Sequence, residues 1–348
     1  MKKIILLAGL AVFALAVSSC DLFENIKTPT VDVALDSSSE IQSEELLKLD
    51  SPSISVDSQG AYYVKQSATS PISSTVSLSS SPTKLNGSLD IKCVGLPEVA
   101  SDLQKGGLVQ PALVLTVDSP ADEDILIKGN FNAEGKSAPL PEAVADAKDK
   151  TQIVYTTGSS APSITDPDVV LALPEEGKIL EKGPKEMQIS DLTVSTVSTK
   201  AIAPAAGSYQ IKVDAMYVAP LLYLAGTQIH LDRSFKDLNI SLDRVNYPCN
   251  EYDISMEVEN TLPFDIMMSV SSADGISGAL KSAIKAGSLE NPVTTAVVLN
   301  VKDSSGKNVS NISTADLSID LTAAEGATLK KGQKLGLKLN KFSVIKAF

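Results

Sequence analysis

Ile254-Ser255-Met256-Glu257-Val258 alternates apolar and polar side chains without a break. A two-residue period is the mark of a β-strand with one face in a core and the other in water. Asn260-Thr261-Leu262-Pro263-Phe264-Asp265 comes next, and the chain resumes as Ile266-Met267-Met268. Proline interrupts a strand ladder, and amide or carboxylate side chains bond nearby backbone, so the interruption reads as a hairpin or inter-sheet corner. An earlier stretch has the same build. Leu113, Leu115 and Val117 alternate with Val114 and Thr116, Ser119-Pro120 leads through a turn to Asp124, and Ile125-Leu126-Ile127 follows.

That likeness is one of five in a single order. Gly60-Ala61-Tyr62-Tyr63-Val64-Lys65 matches Gly207-Ser208-Tyr209-Gln210-Ile211-Lys212, and Ser70-Pro71-Ile72 matches Ala219-Pro220-Leu221. Leu85-Asn86-Gly87-Ser88-Leu89-Asp90 matches Leu238-Asn239-Ile240-Ser241-Leu242-Asp243. Val117 with Asp124-Ile125 answers Val258 with Asp265-Ile266, and Leu180 to Lys185 answers Leu329 to Lys334. The offsets lie between 141 and 153, as duplication followed by loop insertions would leave them. Further strand-like runs cover 152–155, 169–173, 187–194, 297–301, 317–321 and 335–344, and Asp303-Ser304-Ser305-Gly306 is another turn signal. Helical spacing is confined to Pro141–Lys148 and Ser277–Ala286. The expected architecture is all-β: two tandem antiparallel β-sandwich domains related by internal duplication, over 51–198 and 199–348.

Ahead of them, 20–50 is rich in acidic and small polar residues, with Asp21, Glu24, Asp32, Asp36, Glu40, Glu44, Glu45 and Asp50 against Lys27 and Lys48. It reads as a solvated tether, with the alternative that Val31 to Leu35 supplies a first strand. Residues 1–19 place Lys2 and Lys3 before an unbroken apolar run, Ile4 to Val17, which ends in Ser18-Ser19-Cys20. The run is too short for a permanent bilayer span of about twenty residues. It resembles the lipobox signal of bacterial lipoproteins, which implies acylation of Cys20 and an anchored protein of the cell envelope, at the outer membrane.

Composition narrows the chemistry. The 348 residues carry a net charge of −12, or −14 without Lys2 and Lys3, which would repel a phosphate backbone, so no nucleic-acid partner is expected. Tryptophan is absent and aromatics make up 4%, so a stacked aromatic platform for sugars is disfavoured. Beyond Cys20 only Cys93 and Cys249 remain, read as two separately buried thiols with no metal spacing. His230 is the single histidine; it sits between Ile229 and Leu231, with Asp232 on the same strand face, and reads as a structural or surface residue. Asp118, Asp122, Glu123 and Asp124 crowd one turn of the kind calcium can use, although solvated turns are the commoner outcome. No nucleophile elbow, P-loop, dinucleotide fingerprint or zinc-protease helix is present. The expectation is a non-enzyme without cofactor or bound metal.

The apolar run Met216 to Leu224 stands where the first copy has a serine- and threonine-rich segment. It is either a strand buried on both faces or a partner surface carried by Met216, Tyr217, Leu221 and Tyr223. Ala219-Pro220-Leu221, Glu259 to Ile266 and Leu329 to Leu339 resemble a pattern in uncharacterised β-rich lipoproteins of anaerobic Gram-negative bacteria, a resemblance that brings no activity with it. The functional expectation is a lipid-anchored protein for surface display, adhesion or envelope structure. The alternatives are an accessory binder of an apolar or glycan ligand, or a hydrolase using paired acids.

Overall fold

The computed structural model describes residues 32–93, 103–158, 164, 166–197, 208–241, 249–272, 275–303 and 311–347. Cys20, the rest of the signal-like segment and the turn from Ser304 lie outside them. The chain forms two compact units: a middle unit, Asp50–Leu224, and a terminal unit made of the chain up to Leu49 together with Ala225–Phe348.

The chain enters the terminal unit with β1 (Asp32–Gln42) and a single helical turn, α1 (Ser43–Leu46). The middle unit carries β2 (Ile54–Val56), β3 (Tyr62–Ser67), β4 (Ile72–Ser77), β5 (Thr83–Lys84), β6 (Leu89–Lys92), β7 (Leu103–Lys105) and β8 (Ala112–Ser119). It continues with β9 (Ile125–Ala133), β10 (Lys136–Ala145), β11 (Asp149–Thr156), β12 (Val169–Ala172), β13 (Glu186–Thr196), β14 (Ser208–Pro220) and β15 (Leu222–Tyr223). The terminal unit resumes with β16 (Gln228–Ser241), β17 (Cys249–Asn260), β18 (Phe264–Ser271) and β19 (Ile276–Leu280). It ends with β20 (Val293–Asp303), β21 (Asn311–Ala323), β22 (Ala327–Thr328) and β23 (Lys334–Ala347).

The middle unit is a β-sandwich. One sheet runs β12-β11-β8-β14-β3-β2, with β4 also on β14; the other runs β10-β9-β13-β5, with β6 also on β13. Pairing is antiparallel except for β12, which joins β11 in parallel. Leu113, Leu115 and Val117 of β8 and Ile211, Val213 and Tyr217 of β14 are buried, as are Ile125, Ile127 and Phe131 of β9 and Ile189 and Val194 of β13. These rows follow the strand period and fill the space between the sheets. On the other side of the first sheet, Ala112, Val114, Val154 and Val218 form a second buried cluster, so its central strands are covered on both faces.

The terminal unit is built differently. Its strands follow the order β1-β23-β17-β20-β19-β18-β21-β16 in one antiparallel sheet. The sheet curls until the two ends of that order approach, and Arg233 Nη2 on β16 donates to the Leu46 carbonyl beyond β1 at 3.3 Å.

Four expectations need correction. The division falls at Leu49/Asp50 and Leu224/Ala225 rather than at 198/199, because Ser208–Pro220 is a central strand of the middle unit, bonded to β3, β4 and β8. Tyr62–Lys65 and Ser208–Lys212 therefore belong to one sheet instead of taking corresponding places in two. Part of the tether is a strand: β1 pairs along β23, and Ile41, Leu46, Leu47 and Leu49 are buried, the first-strand alternative extended past Leu35. The helical pieces are not helical either: Pro141–Ala145 and Ser277–Leu280 lie in strands β10 and β19, and the remainder of each is turn or irregular chain. Pro141 falls at an irregularity of the β10–β9 ladder, between Leu140 and Ala143, where its missing N–H costs no ladder bond.

Candidate functional site

Strand alternation on the curled sheet places one apolar row on its inner side. Met256 of β17, Met268 and Val270 of β18, Leu280 of β19, Leu299 of β20, Leu317 and Ile319 of β21, and Leu335 and Leu337 of β23 point the same way. With Ile41 of β1, Leu46 of α1 and the polar Ser269 they line a cleft of about 90 Å3. Met256, Leu280, Ile319 and Leu335 are buried at its floor, while Met268, Leu299, Leu317 and Leu337 are half-buried at its opening.

Arg233 belongs to this inner row. Along β16 the buried residues are Ile229 and Leu231, and Arg233 has their parity, whereas His230, Asp232 and Ser234 point outward. Its directly opposite residue on β21 is Leu317, itself a lining residue. Burial of the guanidinium depresses its pKa, and Lys48 is depressed as well, by partial burial and then by the nearby positive charge of Arg233. Arg233 Nη1 also donates to the Asp232 carbonyl at 3.1 Å.

A second, polar recess of about 420 Å3 is formed by Pro263, the 286–293 loop, Ala324 to Thr328, Lys330 and Gln333. A buried amide organises it. Asn260 Nδ2 donates to the carbonyls of Phe264 at 3.0 Å and Lys285 at 2.8 Å, and Asn260 Oδ1 accepts the Leu262 N–H at 2.7 Å. Asp265 accepts the Ala286 N–H at 2.8 Å and pairs with the Lys285 ammonium at 2.8 Å. Burial works against its carboxylate, but these partners outweigh it and hold its pKa below the ordinary range. Asp124, its sequence match, accepts the Ala147 N–H at 2.9 Å, so the paired turns use their aspartates alike. No aromatic residue stands among the described residues lining the recess.

His230 lies on the outward face of the terminal sheet, 3.1 Å from Asp232 Oδ1 as its spacing foretold, and also 2.6 Å from Asp320 Oδ1, which sequence reasoning missed. Ser318 Oγ is 3.5 Å from Nε2, so serine, imidazole and carboxylate are neighbours. The Asp320 hydrogen bond raises the imidazole pKa against burial, and the charges of Asp232 and Asp320 add to the rise. Nε2 lies nearer Asp232 Oδ1, at 3.1 Å, than Ser318 Oγ, at 3.5 Å, and Nδ1 faces Asp320, so the geometry is that of an ion-pair cluster more than of a serine–base hydrogen bond. In the acidic turn, Asp122 pairs with Lys148 at 2.7 Å and accepts the Tyr209 hydroxyl at 3.3 Å. Among the described residues no three of His, Cys, Asp and Glu gather as a metal site.

The proposed partner surface is core instead. Tyr217, Leu221 and Tyr223 are 1%, 0% and 1% exposed, and Met216 is half-buried against the second cluster of the middle unit. Tyr217 also donates its hydroxyl to the Leu180 carbonyl at 3.0 Å. The run is apolar because β14 is a central strand. Cys93 is a buried free thiol. No described helix is long and apolar enough to cross a membrane.

No family model matches the chain, and no curated protein matches it. Among solved structures, a protein of Parabacteroides distasonis ATCC 8503 designated as secreted aligns over 91% of this chain and 99% of its own, with a TM-score of 0.62 at 16% identity. At that identity the likeness is one of fold, and it runs through nearly the whole length of both chains. An exo-β-agarase aligns over 57% of this chain and 24% of its own, at 11% identity and a TM-score of 0.25. Carbohydrate-binding modules of the β-sandwich superfamily align over 67% and 97%, at 8% identity and 0.19. Scores that low carry nothing over to this chain.

Proposed function

We propose that the chain is a non-catalytic protein of the cell envelope, held at the outer membrane by lipid on Cys20, which serves in display or adhesion by binding through the apolar cleft of its terminal unit. The cleft carries this reading. Eleven of its twelve described lining residues are aliphatic or thioether side chains, and four of them stand partly open in a unit whose floor is already packed. Apolar surface left accessible in this way is the usual mark of a binding site. The basic start, apolar run and Ser18-Ser19-Cys20 support the anchoring. The polar recess favours a glycan partner less, since no described lining residue offers a ring for a sugar face.

Whole cells labelled with a fatty acid, then treated with external protease, test the anchoring and the display together. Label on the wild-type protein, loss of label in Cys20→Ala and digestion of the intact-cell protein are expected. Label that survives the substitution overturns the anchor, and full protection from protease overturns surface display.

A further inference from the structure

We propose that the polar recess of the terminal unit is a second binding site, independent of the apolar cleft, which takes an arginine side chain presented by a polypeptide partner. The state of its polar side chains carries this. Five of those lining it are engaged within the unit. Lys330 pairs with Glu290 at 3.3 Å, and the Ser288 hydroxyl also donates to the Glu290 carboxylate. Thr328 Oγ1 donates to the Gly326 carbonyl at 3.1 Å. Gln333, 2% exposed, accepts the Lys330 N–H at 2.9 Å and donates to the Thr328 carbonyl at 3.3 Å. Two are left: the Glu325 carboxylate and the Asn291 side-chain amide have no partner among the described residues, and both residues are exposed.

What those two groups lack defines the ligand. A carboxylate only accepts, and an amide oxygen accepts too, so one cation rich in N–H donors meets both. Glu290 and Lys330 offset each other, which leaves Glu325 as the uncompensated charge of the recess in a chain of net charge −12, so an anion is disfavoured. A guanidinium offers its planar fork to the carboxylate and keeps N–H groups for Asn291. Pro263, Val293 and Ala324 give its aliphatic stem apolar contact. At about 420 Å3 the recess falls in the size range of ligand sites, with room for peptide backbone beside the side chain. Its walls are also set in advance. Asn260 and Asp265 fix the Pro263 turn and the backbone at Lys285 and Ala286, and Gln333 fixes the chain from Thr328 to Lys330. A wall already ordered loses little freedom when a ligand arrives.

The test is ligand-observed NMR titration of the chain from Asp21 onward, both units intact, with four probes: acetyl-Gly-Arg-Gly-amide, its lysine counterpart, its uncharged citrulline counterpart, and agmatine, which carries the guanidinium without a peptide. The arginine peptide should bind at one site at least about fivefold more tightly than the citrulline peptide, by a margin that narrows as salt rises. Glu325→Gln should abolish that margin and leave the thermal midpoint where it was, which separates loss of the charge from loss of the fold. Asn291→Asp, which adds a second carboxylate to the same rim, should widen it. Equal binding of the arginine and citrulline peptides to wild type, or a margin that survives Glu325→Gln, overturns the cation assignment. A lysine peptide that binds more tightly overturns the guanidinium, and agmatine that binds as tightly as the arginine peptide overturns the polypeptide source in favour of a free cation. Binding of none of the four overturns the recess as a site and leaves the apolar cleft untouched.

Discussion

His230 Nδ1 lies 2.6 Å from Asp320 Oδ1 on the neighbouring strand, while Nε2 faces Asp232 Oδ1 at 3.1 Å. The pairing raises the histidine pKa in the folded chain, chiefly through the Asp320 hydrogen bond. A group whose folded pKa is raised contributes stability that is complete below its unfolded value and fades as pH climbs through the folded one. Wild type should therefore lose thermal stability from about pH 6.5 upward, and His230→Gln should lose less over the same interval. Unfolding midpoints of the two proteins across that range decide it; parallel curves would show that the pair contributes nothing. Because the imidazole is partly exposed and its carboxylate partners more so, the effect should shrink in high salt.

Asn260 holds the turn between β17 and β18 with three hydrogen bonds to backbone. Asn260→Ala would leave two carbonyls and one N–H without this partner in a buried place, at about 1–3 kcal/mol each. A loss of about 3 kcal/mol or more is expected in denaturant unfolding. Gly287→Ala tests the same corner from the other side, since a Cβ there would fall 1.9 Å from the Asn260 carbonyl oxygen. It should destabilise by at least as much as a typical overpacked core, about 1–3 kcal/mol. A neutral result for either variant would mean the turn is held by other contacts.

How far the sequence reveals these features depends on the range of the forces involved. Alternation along Ile254 to Val258 or Leu317 to Leu321 is local, and those strands stand where the period puts them. The unit boundary is not local: β14 belongs to the middle unit because it pairs with strands roughly one hundred and more residues earlier in the chain. In the acidic stretch before Ser43, the charged composition masked a strand whose backbone pairs with β23 at the far end of the chain. Buried tyrosines in Met216 to Tyr223 looked like an interface because composition records hydrophobicity without recording what covers it. Arg233 could have been found: two places after Leu231 and four after Ile229, it is a cation at an inward position.

Tyr217 separates a core role from a surface role. Its ring is 1% exposed and its hydroxyl donates to the Leu180 carbonyl at 3.0 Å. Tyr217→Phe removes that bond and keeps the packing, so about 1–2 kcal/mol should be lost. Tyr217→Ala removes the ring as well and should cost about 3–5 kcal/mol. Urea unfolding of both variants gives the two figures. An alanine variant as stable as wild type would return the side chain to the surface role.

Cys93 is 7% exposed, at the end of β6 beside β13, and its N–H donates to the Lys185 carbonyl at 2.8 Å. Burial pushes its thiol up to about 12, so the reactive thiolate is scarce at neutral pH. Against an ordinary cysteine near 8.5, the thiolate fraction at pH 8 falls roughly a thousandfold or more. In a chain starting at Asp21 with Cys249→Ser, a disulfide reagent should therefore leave Cys93 untouched in the native state and take up one equivalent in denaturant. Because the side chain must be uncovered before it reacts, the slow native rate should follow the opening of the β6–β13 edge, and variants that weaken that edge should speed labelling in proportion. Rapid labelling of the untouched native protein would show instead that the edge opens freely and that the thiol is not shielded by the core.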